Sequence, residues 1–242
     1  MIQFKNVTLS FGEHHALKRV NFQLPKGSFT LLEGHSGAGK SSILRLLATF
    51  EQPTSGDILI GRSSIARLSR RERAHYRRSV GYTGGDVDLL ENRNCFDNVA
   101  LPLRIAGLSE DDVQSRVKAA LARVGLSHTD RMLPSELSGG QQLRLQIARA
   151  VVNRPSLVLA DEPTAQLDDE SAARVVGLLE EFNHAGVTVI VATHEAARFN
   201  RVTHRLRLAE GEVLPTLTED GTRAEPGVQA FSQEFINKAY GA

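Results

Sequence analysis

Apolar positions recur at short spacing from the first residues of the chain. Ile2, Phe4 and Val7, then a second β-type run over 17–24, are separated by Gly12 and stopped by Pro25-Lys26-Gly27. That pattern predicts a small antiparallel sheet. Phe29 to Leu32 is instead a continuous apolar run, and Ile43, Leu44, Leu46 and Leu47 then recur at helical spacing. A strand therefore gives way to a helix across 34–42. Pro53-Thr54-Ser55-Gly56 predicts a turn, with a further short strand over 57–60.

Ser69 and Glu72 have the spacing of a capping box, which predicts a helix start. Residues 80–83 read as a strand that ends in a flexible Gly84-Gly85-Asp86 loop. The segment from Asp97 carries Val99, Leu101, Leu103 and Ile105, is interrupted by Pro102 and is closed by Gly107. Ser109 to Asp112 is a second capping box, and Val113, Val117, Leu121 and Val124 follow at helical spacing until Gly125. These elements predict a helical insert, about 86–153, between strands of an α/β core. After Leu214, the stretch 216–226 is polar and turn-rich and reads as a flexible linker. Phe231, Phe235, Ile236 and Tyr240 have the spacing of a short amphipathic helix, packing either on its own domain or on a partner.

Composition narrows the setting. Of 242 residues, 29 are basic and 28 acidic, a net charge of +1, so no global field points to a nucleic acid. Locally, Arg67, Arg70, Arg71, Arg73, Arg77 and Arg78 cluster around the helix that starts near Ser69, as a solvated face or a docking surface. The apolar runs at 157–160 and 187–192 are far below the roughly twenty residues that span a bilayer, so a membrane role would run through a partner. The alternation at 2–7 leaves no room for an export signal. Cys95 stands alone, which suits a reducing compartment and a buried or half-buried thiol.

The chemistry is concentrated in a few stretches. Gly34-His35-Ser36-Gly37-Ala38-Gly39-Lys40-Ser41-Ser42 fits the P-loop pattern in the required strand-to-helix context. Its glycines let successive N–H groups point at phosphate oxygens, and the following helix start adds positive partial charge. Lys40 suits the β/γ-phosphates and the Ser41 hydroxyl suits Mg²⁺. Ser138-Gly139-Gly140-Gln141, after Leu137, opens another helix and offers a second phosphate grip. The apolar strand 157–160 delivers Asp161 and Glu162 at its carboxyl end, where open α/β sheets bind ligands. There Asp161 is placed to hold Mg²⁺ and Glu162 to polarise an attacking water. Asp168 begins the next helix, as a site residue or simply an N-cap. His194 ends the strand 187–193, and Phe11 is either packing or a face for a nucleobase.

In this order, and across nearly the whole chain, these motifs resemble the ATP-binding-cassette family. The resemblance implies a P-loop NTPase, RecA-like α/β core with an antiparallel β subdomain and an inserted α-helical subdomain, occupying 1–214. Residues 215–242 would then be a linker and short helix. It identifies 34–42 as Walker A, 137–141 as the signature, 158–162 as Walker B, Leu167-Asp168 as the D-loop, His194 as the switch histidine and Phe11 as the adenine-stacking position. It implies ATP and Mg²⁺ as cofactors and a head-to-tail homodimer with ATP between the Walker A of one copy and the signature of the other.

Closer details, His35 above all, with 97–103, 159–169 and 180–189, are similar to the bacterial cell-division branch. That likeness implies a cytoplasmic ATPase, peripheral on the membrane through an integral partner of FtsX type, that controls cell-wall hydrolases. Transport or lipoprotein-release cassettes share much of the rest, and a slow-turnover nucleotide switch is a third reading. One departure motivates that third reading. The family places a glutamine at the end of the strand after the arginine-rich segment, where this chain has Gly85. The expectation is slower hydrolysis, a rearranged water network or takeover by a neighbour such as Asp86, with Gly85→Gln speeding turnover.

Overall fold

The computed structural model describes residues 1–85, 88–217 and 223–224. Where the apolar pattern is spaced out, β1 (Ile2–Phe11) and β2 (His14–Leu24) pair antiparallel. β4 (Ser55–Ile60) lies on the other side of β1, with β5 (Ser63–Ser64) beyond it. The interval of three between Phe4 and Val7 is a bulge. Asn6 sits there at φ 49, the register shifts, and its side chain and N–H are satisfied by Asn21 at 2.9 and 2.8 Å. Opposite the bulge Gly56 is obligatory, because a Cβ there would lie 2.3 Å from the Asn6 carbonyl oxygen.

Where the apolar runs are continuous, the strands are covered on both faces. β3 (Phe29–Glu33), β6 (Val80–Gly84), β7 (Leu157–Asp161), β8 (Thr188–Thr193) and β9 (His204–Ala209) run parallel, and β10 (Glu212–Val213) returns antiparallel to β9. The order is β10-β9-β3-β8-β7-β6. One face, with Leu31, Val158, Ala160 and Val191, joins the helical side of the core. The other, with Leu32, Leu159, Ile190 and Leu206, packs on α1 (Lys40–Leu47) and the antiparallel sheet. The expected α/β core with its antiparallel layer is the architecture seen.

α2 (Arg70–Arg77) starts at Ser69 with both bonds of the capping box in place. None of its residues is buried, so its arginines mostly face solvent. α3 (Cys95–Ala106) differs from expectation twice. It begins at an Asn94 cap rather than Asp97, because the buried Asn98 amide ties the preceding loop at Leu90 and Arg93 onto the helix start. It also runs through Pro102 without interruption. α4 (Glu110–Arg123) has the Ser109 cap but not the reciprocal half of the box, since the Asp112 carboxylate takes the Ser109 hydroxyl at 2.8 Å instead of the Ser109 N–H. Arg104 bridges Asp97 and Glu110 and fastens α3 to α4. α5 (Gly139–Val151) and α6 (Asp169–His184) complete the helices. Cys95 is fully buried.

In the stretch expected to be linker, β11 (Thr216–Leu217) pairs with β12 (Arg223–Ala224), so a two-residue ladder replaces part of it. The helix expected over 231–240 lies outside the described residues.

Candidate functional site

Strand register brings the motifs to one edge. Glu33 stands beside Thr193, Asp161 beside Ala192, and Gly84 beside Asp161. The residues that follow β3, β8, β7 and β6 therefore emerge together at the carboxyl ends of the sheet. They surround an open hollow of about 700 Å³, floored by Ser36, Gly37, Gly39 and Lys40 and flanked by Ser41, Ser42, Glu162 and His194. Phe11, His14 and Ala16 of the β1–β2 hairpin form its outer wall. A second hollow, about 770 Å³, lies at the other ends of β6 and β7 among Ile60, Tyr76 and Leu157, and none of the expected site residues lines it.

The loop over 34–39 is curled by glycine. Gly34 (φ 155), Gly37 (φ 79) and Gly39 (φ 104) are all in the positive-φ region, and a Cβ on Gly34 would lie 2.4 Å from the Leu208 carbonyl oxygen. Ala38 is buried, while His35 and Ser36 face outward. The His35 imidazole folds back on the Ser36 carbonyl at 2.7 Å. Lys40 is 6% exposed, and its amine donates to the carbonyls of Gly34 at 2.7 Å and His35 at 3.2 Å. The loop thus holds one full positive charge in its own ring of backbone oxygens.

Opposite it stand the two acids. Asp161, 5% exposed, accepts the Ser41 hydroxyl on Oδ1 at 3.0 Å and the Tyr82 hydroxyl on Oδ2 at 3.3 Å. Burial pushes its carboxyl up from the usual carboxylate value, against the pull of those two hydroxyls. Glu162 is held at φ 47, a left-handed conformation that costs a non-glycine residue roughly 1–3 kcal/mol. That bend turns its carboxylate into the hollow, with Oε1 3.5 Å from Lys40 Nζ. Its Oε2 accepts both the His194 backbone N–H at 3.2 Å and Nδ1 at 2.9 Å. A carboxylate oxygen accepts, so Nδ1 is the donor of this pair.

Not all the expected residues meet here. Ser138, Gly139, Gly140, Gln141 and Asp168 do not line this hollow. They form a second group at the starts of α5 and α6, where Gly140 lies against Ser171 and Leu167. Ser138 is a true N-cap, accepting from Gln141 N–H at 3.3 Å while the Gln141 amide oxygen accepts its own N–H at 2.9 Å. Asp168 caps α6 through Ser171 N–H at 2.9 Å, and that bond holds its carboxyl below the usual range.

Several residues at the site carry no sequence signal by themselves. His14 follows from the tight hairpin that sets it opposite Phe11. Tyr82 was hidden within the short strand before the glycines. Gln146 of α5 accepts Gly84 N–H at 3.3 Å, so a glutamine does reach this corner, from another element. Gly85 itself (φ 57) lies directly against Asp161, and Asp86 is outside the described residues.

The ABC transporter family model matches residues 17–165. The cell division ATP-binding protein FtsE of Escherichia coli K12 is 46% identical over 88% of this chain and 97% of its own length. The methionine import ATP-binding protein MetN of Bradyrhizobium diazoefficiens is 40% identical over 81% of this chain and 58% of its own. Among solved structures, the dimeric post-hydrolysis state of the ATP-binding cassette MJ0796 with ADP and Pi superposes with a TM-score of 0.82 at 33% identity, covering 88% of this chain and 96% of that one.

Proposed function

We infer that this chain, which belongs to the ABC transporter family, is the ATP-binding and ATP-hydrolysing subunit of a membrane-associated cell-division complex. It works as a head-to-tail pair with an integral membrane partner of FtsX type to control cell-wall hydrolysis. No helix among the described residues is long and apolar enough to cross a membrane, so such a partner would supply the anchor on the cytoplasmic face.

The observation that carries the chemistry is Glu162, bent into the hollow between Lys40 and His194. The curled 34–39 backbone and Lys40 bind the β- and γ-phosphates, and Phe11 offers its half-exposed ring to the adenine. Glu162 takes a proton from the attacking water, while His194 Nδ1 fixes that carboxylate and its outer face meets the γ-phosphate. Mg²⁺ fits the remaining oxygens. Among the described residues there is no cluster of three or more metal-binding side chains, but Mg²⁺ commonly takes one or two protein oxygens, phosphates and water. Ser41 and the buried Asp161, whose raised pKa a cation would relieve, supply that pair. When bound, the ion neutralises charge on the phosphates.

Phosphate release by the purified chain, alone and with a co-expressed FtsX-type protein, tests this reading. Hydrolysis stimulated by that partner is expected, and its absence with both chains present refutes the division assignment. The likeness to MetN favours solute import as the second reading, which capture of a permease instead would support.

A further inference from the structure

The metal-holding carboxylate is gripped from a side that the family resemblance does not describe. Tyr82 on β6 reaches Asp161 Oδ2 with its hydroxyl, opposite the Ser41 hydroxyl on Oδ1. Its ring lies against Phe50 with centroids 5.2 Å apart, and the strand end that carries it is tied to α5 by Gln146. A side chain at residue 85 would be strained and tight against the same Asp161 oxygen. A Cβ there would lie 3.1 Å from Asp161 Oδ2 and 3.6 Å from the Tyr82 hydroxyl oxygen, at φ 57. A side chain at 85 would therefore crowd Asp161 Oδ2, the oxygen that Tyr82 holds.

We propose that Tyr82 is the positioning residue for Asp161, holding one of its oxygens at the corner where the family has the glutamine missing at 85. This rests on the reading of Ser41 and Asp161 as the Mg²⁺ pair. With the hydroxyl in place, Asp161 keeps Oδ2 fixed, while Oδ1, which takes the Ser41 hydroxyl, is the oxygen on the side of the cation. Gly85 is then the residue that leaves Asp161 Oδ2 uncrowded at a positive φ, rather than a simple loss.

The test uses the full chain in a Glu162→Gln background and Mn²⁺ as the probe, with bound Mn²⁺ followed by EPR in the presence of ATP. Tyr82→Phe keeps the ring on Phe50 and removes only the hydroxyl. It is expected to weaken Mn²⁺ binding by roughly ten- to a hundredfold, the scale of one hydrogen bond to a charged group. ATP binding in EDTA should stay unchanged. Equal Mn²⁺ affinity in both proteins overturns the proposal, and so does an equal loss of metal-free ATP binding, which would make Tyr82 a general support. Gly85→Gln with Tyr82 retained should give no gain in Mn²⁺ affinity, and a gain would also contradict the proposal. If the parent protein shows no ATP-dependent Mn²⁺ signal at all, it is the Mg²⁺-ATPase reading that fails.

Discussion

The two glycine-bearing helix starts of this chain are built to opposite ends. In 34–42 the glycines are forced into positive φ, the lysine is buried in a ring of carbonyls, and two acids and a histidine from other strands close over it. In 138–141 neither glycine has positive φ, Ser138 and Gly139 are exposed, and Ser138 and Gln141 satisfy each other through the helix's own capping box. The first loop is complete within one chain. The second is a stable helix start with an open face, because a Cβ on Gly139 would meet nothing within 4 Å. A helix start this open, apart from its own chain's hollow, suits the proposed pairing in which it closes on the hollow of a second copy.

Substitutions can break that contrast in order of effect. Glu162→Gln should lower turnover by about 10²- to 10⁴-fold, the scale of a lost general base, while nucleotide binding measured by equilibrium dialysis is kept. Lys40→Ala should cost about 10²- to 10³-fold in phosphate release and also impair ATP binding, since it strikes the finished loop. Ser138→Arg should lower turnover roughly ten- to a hundredfold yet leave ATP binding by the monomer unchanged, since it strikes only the open loop. If Ser138→Arg abolished binding too, the two loops would not be separate halves.

Smaller changes sharpen the contrast through stability. Ser138→Ala removes a cap and should cost about 1 kcal/mol in denaturant unfolding, with little effect on ATP binding. Asp168 adds a pH signature on the same side. Its folded-state pKa is lowered by the Ser171 N–H, so its contribution is full above the usual value of 3.8 and is lost as pH falls through the lower folded value. Asp168→Asn should keep the cap and flatten that acid-side loss in thermal melts.

The finished loop was legible in the sequence because its geometry is local, with glycines, lysine and serine at fixed offsets between a strand and a helix. So were Asp161, Glu162 and His194, since apolar runs of strand length end just before them. What was not legible depends on side chains brought from elsewhere. The bulge at Asn6 needs Asn21, and the start of α3 is set by Asn98 reaching back to Leu90. The corner at Gly85 looked bare because Tyr82 and Gln146 arrive there only through pairing of β6 with β7 and packing of α5. The left-handed turn at Glu162 also carries no composition signal, since glycine is the residue that would announce it.

Light scattering on the Glu162→Gln protein, with and without Mg²⁺ and ATP, tests the division of labour between the loops most directly. The account predicts that ATP doubles the mass of Glu162→Gln but not of Glu162→Gln with Ser138→Arg, although both bind nucleotide. ATP bound at saturation with no change in mass of the first protein, or doubling in both, would contradict it.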